Sequence, residues 1–259
     1  AIQIDAGEGE DESTYTGSSW AEKVFLYPDS GRYEVYFEPG PPTTHERDWY
    51  LDTTGIETNT VAGGDPLDEA FLYDSEGDDE YRSHPGEATL VGIGYSQTVL
   101  DFPTVHAYGR QGGHDVAWIY DSTANEKLKG DPTFTLLRGG GFFSRAKFFD
   151  EVHAFSTVGG KDYAVFNDSD GDDTFDFSPT ESKLEGDGFS ILAEEFERVL
   201  VRAGSGYDIA RLTDSAGANT FRGRSHKAML YGDGLDLTVR RFDEVYAQAT
   251  PGGGDVAKL

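Results

Sequence analysis

The sequence predicts an all-β protein built as a tandem-repeat parallel β-solenoid. Three observations predict it: a pattern that recurs about every 47 residues, apolar alternation with period two inside each repeat, and Gly- or Asp-rich turns between the alternating runs.

The period is set by a tetrad of Asp, any residue, Ala, any residue, then an apolar residue. It occurs at Asp68-Ala70-Leu72, Asp115-Ala117-Ile119, Asp162-Ala164-Phe166, Asp208-Ala210-Leu212 and Asp255-Ala257-Leu259, in steps of 47, 47, 46 and 47 residues. Other positions keep the register. An Asp-Ser pair or its like follows at Asp74, Asp121, Asp168 and Asp214, then an apolar residue at Tyr81, Leu128, Phe175 and Phe221. Leu90, Leu137, Leu184 and Leu230 come next, each trailed by paired glycines, and Phe102, Phe149, Phe196 and Phe242 close the pattern with a Val three residues later.

These markers divide the chain into degenerate N-terminal repeats or a cap over 1–66 and one continuous repeat domain over 67–259. The repeats span 67–113, 114–160, 161–206 and 207–253, with the start of another at 254–259. The array is expected to continue in a longer protein. Alternating faces such as Ala164 and Phe166 against Val165 and Asn167 mark strands, at about four short strands per repeat. A lone repeat has too few inward apolar side chains to offset the ordering of its backbone, so neighbours must cover it. Equivalent strands are therefore expected to lie on one another, with Leu72, Ile119, Phe166 and Leu212 as one interior row. A five-bladed β-propeller is the alternative, since a blade is also four strands in this length. The turn chemistry favours the solenoid.

Composition narrows function. The formal charge of −27 repels nucleic acid and anionic membrane surfaces and attracts divalent cations and basic partners. The lack of Cys excludes disulfides and thiolate metal sites. No apolar run approaches the length of a membrane span, so membrane insertion is not expected.

The segments Gly204 to Leu212 and Asp168 to Phe175 resemble the Gly- and Asp-rich calcium-binding repeats of the hemolysin type, also called RTX. That resemblance implies a parallel β-roll with calcium between turns, although the repeat here is far longer than nine residues. Over 67–259 the pattern also resembles arrays of ~47-residue Gly/Asp-rich repeats in very large secreted bacterial proteins. It implies a secreted or cell-surface setting.

The Asp-rich turn is the first candidate site, with Asp74, Asp78, Asp79, Asp121, Asp168, Asp170, Asp172 and Asp173 as expected calcium ligands. Calcium takes six to eight oxygens, which clustered carboxylates supply. Asp side chains stacked at ~5 Å would repel by roughly 3 kcal/mol per pair at an effective dielectric of ~20, which a cation or backbone donors would relieve. The same residues are also ordinary turn formers. The turns at Asp74 and Asp168 are the favoured calcium sites and that at Asp214 the weakest.

The second candidate is a ladder of outward aromatic residues, Phe25, Phe71 and Trp118 beside Tyr27, Tyr73 and Tyr120, as a surface for sugar rings or a partner. A segment such as 38–49 could instead cover it. His106 and His153, one repeat apart, are read as a structural ladder rather than a metal pair. No Gly-x-Ser-x-Gly elbow, zinc helix or phosphate loop is found. The expectation is a non-enzymatic structural or adhesive module, stabilised by calcium, whose partners are other copies or repeats of the same protein or extracellular polysaccharide. A carbohydrate-binding protein is the alternative, and a polysaccharide-active β-helix enzyme a weaker one.

Overall fold

The computed structural model describes residues 2–7, 9–36, 49–232 and 234–259, and every regular element among them is a β-strand. The protein is a β-solenoid. Its contacts divide it into an N-terminal unit, Ala1–Ile119 with Gly141–Phe149, and a C-terminal unit, Tyr120–Gly140 with Asp150–Leu259.

Each repeat contains five strands, not four. In 67–113 they are Glu69–Tyr73, Glu80–His84, Glu87–Gly92, Tyr95–Leu100 and Thr104–Tyr108. The middle three form an antiparallel meander. Its two turns are two residues long, Pro85-Gly86 and Ile93-Gly94, with Gly86 at φ 89° and Gly94 at φ 81°. Only Gly takes that left-handed backbone without strain. The first and fifth strands pair side by side in parallel, Ala70 with Val105 and Leu72 with Ala107. The solenoid is thus mostly parallel, with one antiparallel strand inserted per repeat.

In the N-terminal unit one sheet runs Ile2–Asp5, Trp49–Thr54, Ser30–Tyr36, Ala21–Tyr27, Glu69–Tyr73, Thr104–Tyr108, Phe142–Lys147. The other runs Glu12–Thr16, Thr58–Ala62, Tyr95–Leu100, Glu87–Gly92, Glu80–His84, Val116–Tyr120. In the C-terminal unit one sheet begins Phe134–Gly139, Lys127–Asp131, Tyr163–Asn167, Arg198–Arg202, and the other holds Thr174–Ser178, Ile209–Thr213 and Glu244–Gln248 as neighbours. The core lies between the two sheets of each unit. Tyr81 is fully buried and its hydroxyl meets Ser144 Oγ of the facing sheet at 2.9 Å. Gly130 leaves room for facing side chains: a Cβ there would sit 3.0 Å from Ile191 and 3.2 Å from Phe166.

This topology corrects the expected interior row. Leu72, Ile119, Phe166 and Leu212 are all buried, but Leu72 and Ile119 lie in opposite sheets, as do Phe166 and Leu212. Leu72 stacks instead between Leu26 and Ala107, and Leu212 between Phe177 and Ala247. The reason is arithmetic. A repeat visits the sheets three times, as single strand, meander and single strand, so the next repeat starts on the other sheet. The alternative of propeller blades is not formed: neighbouring single strands pair in parallel within continuous sheets.

Candidate metal centres

Each repeat closes its first corner with an Asp-Ser-x-x-x-acid turn. Ser75 donates from N and Oγ to the Asp79 carboxylate at 2.8 and 3.1 Å, and Ser169 does the same to Asp173 Oδ2 at 3.1 and 2.6 Å. Ser122 Oγ donates to Glu126 Oε1 at 2.5 Å, and Ser18 N to Glu22 Oε1 at 2.7 Å. In the last full repeat Asn219 stands in place of the acid, and its amide donates to Ser215 Oγ at 2.9 Å.

The Asp of each tetrad reaches this turn from the adjoining coil. Asp115 Oδ1 accepts the Asp79 N–H at 3.0 Å, Asp162 Oδ1 that of Glu126 at 2.5 Å, and Asp208 Oδ1 that of Asp173 at 3.0 Å. Asp68 serves Glu22 N at 2.8 Å and Asp255 serves Asn219 N at 3.0 Å. A second contact runs the other way. Asp74 accepts Arg110 N and Gln111 N, Asp121 accepts Val158 N at 3.0 Å, and Asp214 accepts Thr250 N at 2.5 Å. A charged acceptor strengthens each bond. The coils approach backbone to backbone here: a Cβ on Gly113 would overlap the Gly77 carbonyl, and one on Gly206 the Gly171 carbonyl.

Where the acids meet they form three triads, buried throughout except for the half-buried Asp168, each with ligand atoms within 4.8 Å of one another: Asp74-Asp79-Asp115, Asp121-Glu126-Asp162 and Asp168-Asp173-Asp208. Burial, more than mutual repulsion, pushes the carboxyls of Asp74, Glu126, Asp168 and Asp208 above their ordinary range. Asp168 rises furthest, to about 7; after burial the charges of Asp208 and Asp173 raise it, and the nearby Gly204 amide offsets only part. The centres differ in satisfaction. Buried oxygens without a well-aligned hydrogen bond are absent from the first triad among the described residues, number one in the second, Glu126 Oε2, and three in the third: both of Asp168 and Oδ1 of Asp173.

Of the expected ligands, Asp74, Asp79, Asp121, Asp168 and Asp173 therefore lie in triads. Asp78, Asp170 and Asp172 do not. They are exposed and accept His114 N at 2.8 Å, Ser205 Oγ at 3.1 Å and Tyr207 N at 2.7 Å. Glu126 belongs to the same Asp-rich turn as Asp121, whereas Asp115, Asp162 and Asp208 were not expected as ligands. These three are tetrad residues, and the signal that could have found them was a charged residue recurring directly before a buried strand.

The aromatic ladder is real but divided. Tyr27, Tyr73 and Tyr108 stack at 4.6 and 5.0 Å, and Phe25, Phe71 and His106 at 4.9 Å, all on one sheet. Trp118 sits in the other sheet of that unit, 5.3 Å from the Arg82 guanidinium, and Tyr120 stacks on Phe155 at 4.8 Å. Of the segment 38–49 that could cover the ladder, residues 38–48 lie outside the described residues. His106 is wedged between Phe71 and Phe143, and burial followed by the charges of Arg145, Lys23 and Lys147 lowers its pKa to about 3. It is a neutral ladder member. His153 pairs instead with Glu151 at 2.7 Å.

The fold and these centres define the class: a two-sheet β-solenoid whose adjoining coils are tied by buried carboxylates. Comparison with protein-family models, curated proteins and solved structures finds no match.

Proposed function

We propose that this chain is a non-enzymatic structural repeat module of a large secreted or cell-surface protein, with calcium as counter-ion where buried carboxylates outnumber amide donors. One observation carries the reading. The Asp residues that recur in the tetrads, at 68, 115, 162, 208 and 255, each spend their side chain on a backbone N–H of the adjoining coil. They hold the array together and leave little for chemistry on a substrate. The high negative charge suits a cation-rich exterior and an adhesive role toward other copies or repeats of the same protein. Calorimetry tests it. Calcium should raise the melting temperature and a chelator should lower it. A melting temperature indifferent to both would remove calcium from the reading, and turnover of any polysaccharide would remove the structural role.

One observation favours a second reading, carbohydrate binding. A groove of about 520 Å3 opens at the end of the ladder, lined by Phe25, Tyr27, Ser30, Arg32, Asp52 and Thr54 among others. Aromatic rings beside hydroxyl and charged groups suit a sugar ring. Glycan-array binding lost in Tyr27→Ala would support it, and no binding to any glycan would end it.

A further inference from the structure

We infer that Asp168, Asp173 and Asp208 form a single-ion calcium site, and that the residue opening the fourth strand sets the first centre apart from the third: Tyr95 closes the first centre, Phe189 leaves the third open. This rests on the calcium reading above and assigns its location and its selector.

Tyr95 and Phe189 occupy equivalent positions two repeats apart, as the first residues of Tyr95–Leu100 and Phe189–Glu194. Their surroundings match. A Cβ on Gly92 would meet Asp79 Oδ1 and Tyr95 Cε1; one on Gly186 would meet Asp173 Oδ1 and Phe189 Cε1. The acid, the glycine and the ring edge therefore lie in the same arrangement in both centres. At this corner the two sites differ by one hydroxyl; on the far side they differ by the Arg110 and Gln111 amides, which Asp74 accepts and which have no well-aligned counterpart at Asp168.

That hydroxyl is the plug of the first centre. Tyr95 Oη donates to Asp79 Oδ1 at 2.7 Å. Besides burial, the charges of Asp79, Asp74 and Asp115 all push the Tyr95 phenol upward, so the hydroxyl keeps its proton amid the triad. The degenerate N-terminal copy uses the same device: Tyr15 Oη donates to Glu22 Oε1 at 3.3 Å, and the Asp68 charge also raises Tyr15.

Phe189 brings no donor. Asp173 is only 2% exposed, yet its Oδ1 accepts no well-aligned hydrogen bond, and neither oxygen of Asp168 does. Buried carboxylate oxygens without donors are costly unless they meet a cation. Three carboxylates offer up to six hard oxygens, which matches calcium and its tolerance of irregular geometry better than magnesium and its strict octahedron. In the last repeat Asn219 replaces one acid, and no triad forms there among the described residues.

Titration calorimetry of calcium into the intact chain tests this, with circular dichroism to check folding. The native chain should bind one ion tightly. Phe189→Tyr should weaken that binding at least tenfold, as should Asp173→Asn. Tyr95→Phe, which acts on the other centre and survives any failure of the first variant to fold, should add a second ion. No binding by the native chain would defeat the calcium reading itself. Native binding that is unchanged in Phe189→Tyr, or no second ion in Tyr95→Phe, would leave calcium in place and overturn the selector.

Discussion

Asp115 Oδ1 accepts the backbone N–H of Asp79 at 3.0 Å, although the two residues stand 36 positions apart in the chain. Both are buried, at 2% exposure each. Asp115→Ala would leave the Asp79 N–H buried without an acceptor, at a cost of ~1–3 kcal/mol. Asp115→Asn keeps an acceptor oxygen and should lose less. Urea unfolding of both variants gives the order; equal and negligible losses would show that the contact does not tie the coils.

The close backbone approach makes a second prediction. Gly206, at φ 111°, has the Gly171 carbonyl where a Cβ would go, whereas Gly188, at φ 73°, has open space. Gly188→Ala carries only the left-handed strain, about 1 kcal/mol, while Gly206→Ala must also move backbone and should cost about 2–3 kcal/mol. Equilibrium unfolding should separate the two variants. Similar midpoints would argue that the coils are not in contact there.

The third concerns pH. Asp168 titrates near 3.8 when unfolded and at about 7 in the fold, because burial and then Asp208 and Asp173 disfavour its charge. The native state therefore holds this proton more tightly. Its contribution to stability is complete below pH ~4 and is lost as pH rises through ~7. In chelator-treated protein the melting temperature should fall across that window, and Asp168→Asn should flatten the fall relative to the parent chain. Calcium should restore stability at the high-pH end. An identical pH profile for parent and Asp168→Asn would contradict the assignment.

The tyrosine ladder gives a fourth. Among the described residues Tyr73 stacks on two rings and Tyr27 on one. Each offset pair is worth ~0.5–1.5 kcal/mol beyond area burial, so Tyr73→Ala should cost more than Tyr27→Ala by about one such pair. A double-mutant cycle between Tyr73 and Tyr108 measures the coupling directly; a coupling of zero would make the stack incidental.

Much of this was legible in the sequence. The period, the strand character, the buried positions and the solenoid all follow from the recurrence of tetrads and leucines. What the pattern hides is the path. Both sheets face one core, so Leu72 and Ile119 need the same chemistry whichever sheet they occupy, and the alternation leaves no trace in the apolar code. The fifth strand was hidden for a related reason: Pro85-Gly86 marks a turn, but Ile93-Gly94 is none of the usual hairpin dipeptides, and each flanks a strand short enough to be absorbed into its neighbour. The triads were half visible. Asp74, Asp79, Asp121, Asp168 and Asp173 belong to one local turn, whereas Asp115, Asp162 and Asp208 arrive from a strand about 35 residues later, a proximity created by stacking alone.

The alternation of repeats between sheets is the central claim, and pairwise cysteine cross-linking tests it most directly, since the chain has no Cys of its own. Phe71 lies in register with His106 on the adjacent parallel strand, while Trp118, its equivalent one repeat later, lies in the other sheet. Adjacent strands lie ~4.8 Å apart, within disulfide reach. The Phe71→Cys, His106→Cys pair should form a disulfide under mild oxidation, and the Phe71→Cys, Trp118→Cys pair should not. The reverse outcome would mean that equivalent strands stack repeat upon repeat, and the topology described above would be wrong.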